Sequence, residues 1–392
     1  MTDVLALAEE LAAEFATRAA EIDREGRFPF ENIERMKETG YLKICIPEDC
    51  GGFGADLATT AKAQGIIGAA CPSTALSTNM HIFGLGAAAE GYSKGEPGTV
   101  MTKPLFDMVS GGMIVGGSIT DAATGLNTRT SSTPARKVDG GWIVSGRKSF
   151  CSLAPVLDFF WGTASEEDKG GLLLFGLLRN TEGLEFVDSW DTMSMRGTGS
   201  WDVIFHDVFV PDAAMQGNRP GTGDTPAPEW GPMTERPFAW FVFTVASIYL
   251  AAARAATTFA YDYVNKRKPG TELPASRQPG NIFNAGEIEL LLRPAEAMVR
   301  DGLARRASGE VLSAAQLGAI KYTAVNNADK AVDRCLRMVG GHGLFRKLPI
   351  ERIYRDVRAG QFHPPANDVA LETIGRGALG IPADALPRWP TD

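Results

Sequence analysis

The chain is 392 residues long, enough for two or three domains around a substantial buried core. Its 44% hydrophobic and 22% charged residues exclude wholesale disorder. A net charge of −8 and a pI near 5.3 exclude a surface that neutralises duplex phosphates, leaving room only for a local basic patch.

The N-terminal stretch MTDVLALAEELAAEF carries acidic residues and no basic lead before its apolar positions, so it reads as an amphipathic helix and not as a signal peptide. The helical pattern continues through residues 1–112, where GGFGADLATTAKAQGIIGAACPSTALSTNMHIFGLGAAAE supplies small residues suited to close helix packing. Over residues 113–216 the texture changes to short β-rich runs between Gly, Asp and Asn turns. ARKVDGGWIVSG reads there as a hairpin, and the whole as a small antiparallel barrel or sandwich. A Pro/Gly-rich connection follows, and long helical stretches over residues 235–392 imply a four-helix bundle. The expected fold is therefore mixed α and β: N-terminal helices, a central β-domain and a C-terminal bundle. No uninterrupted apolar run approaches membrane-spanning length. Cys45, Cys50, Cys71, Cys151 and Cys335 are scattered and odd in number, and no metal-site spacing is present. That pattern predicts reduced thiols in a cytoplasmic protein.

Four segments, in order, carry a resemblance: GGSITDAATGLNT, GGWIVSGRKSFCS, WDTMSMRGTGSWDVIFHDVFVP and MVGGHGLFRKLPIERIYRDVRAG. Together with the domain order, they resemble the acyl-CoA dehydrogenase family over nearly the full chain. The resemblance implies FAD held between the β-domain and the helices. It puts Thr120 beside the polar edge of the flavin, and counts Gly125 of the same segment among the cofactor-binding residues. It puts Phe150 where the family often stacks a Trp, and Ser152 where a Thr hydroxyl bonds near the reactive nitrogen. A barrel-core role for Phe150 and a turn role for Ser152 stay open. Gly340, Gly341 and Gly343 match the loop that reaches the FAD of a neighbouring subunit, and Arg267 and Gln278 match residues crossing the same interface. A homotetramer or homodimer is implied. The bland alternative for Gly-Gly-His-Gly is a helix C-cap and turn.

The catalytic base is where the resemblance thins. The Glu that most members use to remove an α-proton falls here on Pro364. Glu235-Arg236 looks like the pair that a minority of members place at the start of the first bundle helix, though it comes several residues early. His363 is the other candidate, because related flavin monooxygenases line their pocket with a His after the Arg-rich helix, a hairpin Ser and an N-terminal His. Here those are His363, Ser152 and His81, while His206 reads as structural. Two departures bear on the substrate: Leu126-Asn127 replaces the family's Ser-Asp pair, and Phe238, Trp240, Phe241, Phe243 and Tyr249 crowd the bundle helix. The function expected first is FAD-dependent dehydrogenation of an acyl-CoA or acyl-carrier thioester, with an electron-transfer partner. The alternatives are a two-component flavin monooxygenase served by a flavin reductase, and a non-catalytic flavin-binding homologue.

Overall fold

The computed structural model describes residues 3–96, 102–122, 131–167, 170–219, 232–270, 272–382 and 385. The Asp3 carboxylate accepts the N–H groups of Leu5 and Ala6 and so starts α1 (Val4–Ala16). Val4, Leu7, Ala8, Leu11 and Phe15 form its buried stripe at helical spacing. Two short helices follow, α2 (Ala19–Glu25) and α3 (Phe30–Glu38), and Gly40 stops the latter region at φ +74°. Next come α4 (Leu57–Ala70), α5 (Pro72–Ser93) and α6 (Thr102–Ser110). The small residues of α4 and α5 serve close packing: a Cβ on Gly86 would stand 2.1 Å from the Trp240 ring.

Nine strands form one sheet: β1 (Val115–Ser118), β2 (Thr120–Asp121), β3 (Pro134–Val138), β4 (Gly141–Cys151), β5 (Phe159–Glu166), β6 (Gly170–Leu178), β7 (Leu184–Val187), β8 (Trp201–Pro211) and β9 (Met215–Arg219). Their order is β7-β8-β4-β3-β5-β6-β9, with β1 on β5 and β2 on β4. The β3–β4 hairpin turns at Gly140, whose φ is +73°. The wholly antiparallel expectation is corrected, because β5 runs parallel to both β1 and β3. The sheet curls, so Phe160 of β5 and Phe175 of β6 both meet Phe205 of β8 edge-on inside it.

The C-terminal helices are α7 (Pro232–Lys266), α8 (Pro279–Ala307), α9 (Ala314–Val339), α10 (Pro349–Asp356) and α11 (Asn367–Leu379). A capping box of Ser313 and Gln316 starts α9. By length and composition α7 is apolar enough to cross a membrane, but most of it is buried and it packs against α4, α5, α8 and α9. A helix with neighbours on every side needs no polar face. One loop ties the sheet to the C-terminal and N-terminal helices together. Met195 N–H donates to Asp356 of α10 (2.7 Å), while Arg355 donates to Asp23 (2.6 Å) and to the Met193 carbonyl (2.9 Å).

Candidate active site

The β2/β4 ribbon sorts its residues by face. Thr120 stands opposite Ser149 and Asp121 opposite Lys148, and opposed residues share a side of the sheet. Lys148 and Asp121 point into the core, where the ammonium donates to Asp121 (2.6 Å) and to the hydroxyls of Ser131 (2.7 Å) and Thr163 (3.0 Å). Asp121 also accepts from Ser132 N–H (3.0 Å) and the Thr133 hydroxyl (2.9 Å), so this buried pair is fully served. Thr120 and Ser149 occupy the other face, half-buried.

Beyond Ser149 the strand is bent. Phe150 has φ +59° and is 61% exposed, which rules out a barrel-core role for it. Its ring makes a T-shaped contact with Trp190, the centroids 5.8 Å apart. A non-glycine residue held there stores backbone strain of about 1 kcal/mol or more. Ser152 is more than a turn residue: its hydroxyl lies 2.8 Å from that of Ser200, itself 2.7 Å from that of Thr198. An exposed aromatic ring two positions from the half-buried Ser152 hydroxyl suits a flat, polar-edged ring system.

The second group of residues comes from the bundle. The Tyr249 hydroxyl lies 2.6 Å from Nε2 of His363. Tyr249 is fully buried, and burial, reinforced by Asp356, raises its pKa well above the ordinary value, so it stays protonated. His363 keeps part of its surface open, yet burial and then the Lys321 ammonium push its pKa down to about 3. It is therefore neutral near pH 7. Lys321 of α9 has no exposed surface and donates to the Pro365 carbonyl (3.0 Å); burial lowers its pKa to about 8.

The remaining expected residues divide by their surroundings. Glu235 does not join His363: it sits fourteen residues before Tyr249 on α7, about 21 Å along the helix axis. Its carboxylate pairs with Arg306 (3.0 Å) in a cluster with Arg236 and Glu90, which joins α5, α7 and α8. Burial raises its pKa, and its Oε1 has no hydrogen-bond partner among the described residues. His81 is corrected to a structural residue. Val115 N–H donates to its Nδ1 (3.0 Å) and its Nε2 faces the Leu42 carbonyl (2.9 Å), so both nitrogens serve the backbone. Burial holds its pKa at about 4. His206 is exposed and pairs with Glu185.

Arg267 is exposed and lies over the Tyr263 ring, and Gln278 is exposed at the start of α8. Gly340 and Gly341 are exposed just past α9, Gly340 at φ +70°, and a Cβ on either would meet nothing within 4 Å. Gly343 differs, since its Cβ would stand 2.6 Å from Leu336. The Gly340–Gly341 turn is thus both a helix terminator and an open backbone surface. Gly125, with Leu126 and Asn127, lies outside the described residues.

Sequence reasoning missed Trp190, Thr198, Ser200 and Lys321, and took Tyr249 as one of a crowd of aromatics. Only Lys321 carried a readable signal. It falls on the apolar stripe of Leu317, Ile320, Ala324, Val325 and Ala328, where a lysine needs a reason.

Comparison with known proteins completes the assignment. Residues 4–91 match the acyl-CoA dehydrogenase N-terminal domain, residues 116–208 its middle domain and residues 243–367 its C-terminal domain. The chain is 32% identical to a Bacillus subtilis protein named "Putative acyl-CoA dehydrogenase YdbM", over 94% of each chain. It is 28% identical to the amino sugar nitrososynthase DnmZ of Streptomyces peucetius, over 96% of this chain and 93% of that protein. Among solved structures it resembles KijD3 in complex with FMN and dTDP-3-amino-2,3,6-trideoxy-4-keto-3-methyl-D-glucose. That likeness has a TM-score of 0.82 at 26% identity and covers 97% of this chain and 94% of that one. The chain belongs to the acyl-CoA dehydrogenase family and, with it, to the flavin-dependent oxidoreductases.

Proposed function

We propose that this protein is a flavin-dependent monooxygenase of the acyl-CoA dehydrogenase fold, acting on a nitrogen or sulfur atom of a small polar molecule. The observation that carries the reading is the neutral His363 imidazole, held by Tyr249, next to the place where most relatives keep a carboxylate and this chain has Pro364. Removing a proton beside a thioester needs a base of suitable pKa within reach, and an imidazole that protonates only near pH 3 is a poor one. The nitrososynthase likeness and the FMN-bound KijD3 structure support the same reading. When bound, reduced flavin would supply the two electrons and two protons that let one atom of dioxygen pass to the substrate lone pair and the other leave as water. For their part, Phe150 would stack on the ring, the Ser152 hydroxyl, held by Ser200, would bond its polar edge, and His363 would donate to the reacting oxygen.

The cofactor we infer is FAD, whose diphosphate suits the open Gly340–Gly341 backbone and Arg267 of a second copy in a homotetramer or homodimer. Electrons then come from a separate flavin reductase or electron-transfer partner. All five cysteines are free thiols, which supports a cytoplasmic setting. The second reading, dehydrogenation of an acyl thioester, is favoured by the raised pKa and unpaired Oε1 of Glu235.

One experiment separates the two. Protein loaded with reduced flavin is mixed with ¹⁸O₂ and a panel of amines and thioethers, and the products are weighed by mass spectrometry. Label in a product is the expected result. The reading is overturned if an acyl-CoA bleaches the oxidised holoprotein anaerobically and Glu235→Gln abolishes that bleaching.

A further inference from the structure

Tyr249, His363 and Lys321 come from three separate elements (α7, the segment before α11, and α9), and the function above uses only the imidazole. Tyr249 is fully buried, and a buried hydroxyl must place its proton on an acceptor. Among the described residues its only hydrogen-bond partner is Nε2 of His363, at 2.6 Å. The hydroxyl therefore donates, Nε2 holds the lone pair, and the neutral ring carries its hydrogen on Nδ1. Nδ1 makes no protein hydrogen bond among the described residues, so the open side of the imidazole is an N–H donor. Lys321 acts on the same segment from the other flank. Its ammonium is tied to the Pro365 carbonyl (3.0 Å), two residues past His363, and opposes a second positive charge beside it.

We propose that Tyr249 and Lys321 are positioning residues that fix His363 as a neutral Nδ1–H donor, whose ligand is an oxygen atom taking on negative charge. This rests on the oxygen-using reading of the same site and sharpens it: His363 acts by donating a hydrogen bond to that oxygen, and does not act as a base. The groups around the unit agree. Asp356 of α10 adds to the field that keeps Tyr249 protonated, and the Lys321 ammonium disfavours the imidazolium. A neutral N–H donor can stabilise developing charge with no proton to shed first.

The tautomer is measurable without flavin or substrate. The protein has four histidines, so ¹⁵N-histidine labelling with long-range ¹H–¹⁵N spectra, assigned by a His363→Asn variant, isolates the ring. The expected wild-type spectrum shows the Nδ1–H form, with no imidazolium down to pH 5. Tyr249→Phe keeps the ring shape and should let the Nε2–H form appear; Lys321→Met should move the His363 titration upward. In turnover, Tyr249→Phe should lower kcat at least tenfold with KM little changed. An Nε2–H wild type, a His363 that titrates near pH 6.5, or variants that leave both tautomer and titration untouched overturn the proposal. Because the spectra are read on the flavin-free protein, they stand or fall separately from the ¹⁸O measurement.

Discussion

At Phe150 a backbone cost stands against the stacking role proposed for its ring. A glycine would adopt φ +59° without cost, but a glycine has no ring to offer. Phe150→Gly removes strain of about 1 kcal/mol and adds unfolded-chain entropy of about 0.5–1 kcal/mol, so the two nearly cancel. The expected outcome is a melting temperature of the flavin-free protein within a few degrees of wild type, with flavin affinity about tenfold weaker from the lost stacking. Calorimetry and fluorescence titration on the same preparation check both halves. A large drop in melting temperature would make Phe150 a core residue after all.

At the scale of elements, the short β2 strand depends on what lies behind it. Asp121 and Lys148 hold the inner face while Thr120 and Ser149 present the outer one, so the ion pair sets where the outer residues stand. Lys148→Met leaves a buried carboxylate unpaired and should cost about 3–5 kcal/mol in urea unfolding. The double variant Asp121→Leu with Lys148→Met should regain only part of that stability, because Ser132 N–H and the buried Thr133 hydroxyl still lose their acceptor. Its flavin affinity should stay low, because leucine cannot accept from Ser132 and Thr133. This also explains what could be read from the sequence. The β3–β4 hairpin was legible because the turn at Gly140 acts locally. The parallel seating of β5 on β1 and β3 was not, since register between distant strands leaves no local mark. The same limit applied to the site. The motif singles out Phe150 and Ser152, whereas the Ser152–Ser200 and Tyr249–His363 contacts bridge stretches of chain that only the fold brings together. For Glu235 the sequence shows only an acidic residue in a first helical turn, and its ion pair with Arg306 of α8 is a contact between distant stretches that the sequence does not display.

For the molecule as a whole, the buried His81 and the half-buried His363 shape behaviour in acid. His81 and His363 have pKa values of about 4 and about 3 in the folded state, below the ordinary value of 6.5. The unfolded chain thus binds their protons first. Each contributes stability that is present above pH 6.5 and is lost as the pH falls towards the folded value. At pH 5 the loss is about 2 kcal/mol per histidine, so the urea midpoint should drop clearly between pH 7 and pH 5. His81→Asn should flatten that slope, and a wild-type midpoint indifferent to pH in this window would contradict the neutral assignment of both rings.

The bond from the Met195 amide to Asp356 has a further consequence for anyone reshaping this enzyme. It couples the stretch that carries Trp190, Thr198 and Ser200 to a helix ending seven positions before His363. On the proposed reading, ring seat and imidazole are thereby gauged against each other like two jaws on a single bar. A loop transplanted from a relative keeps that gap only if its matching helix travels with it.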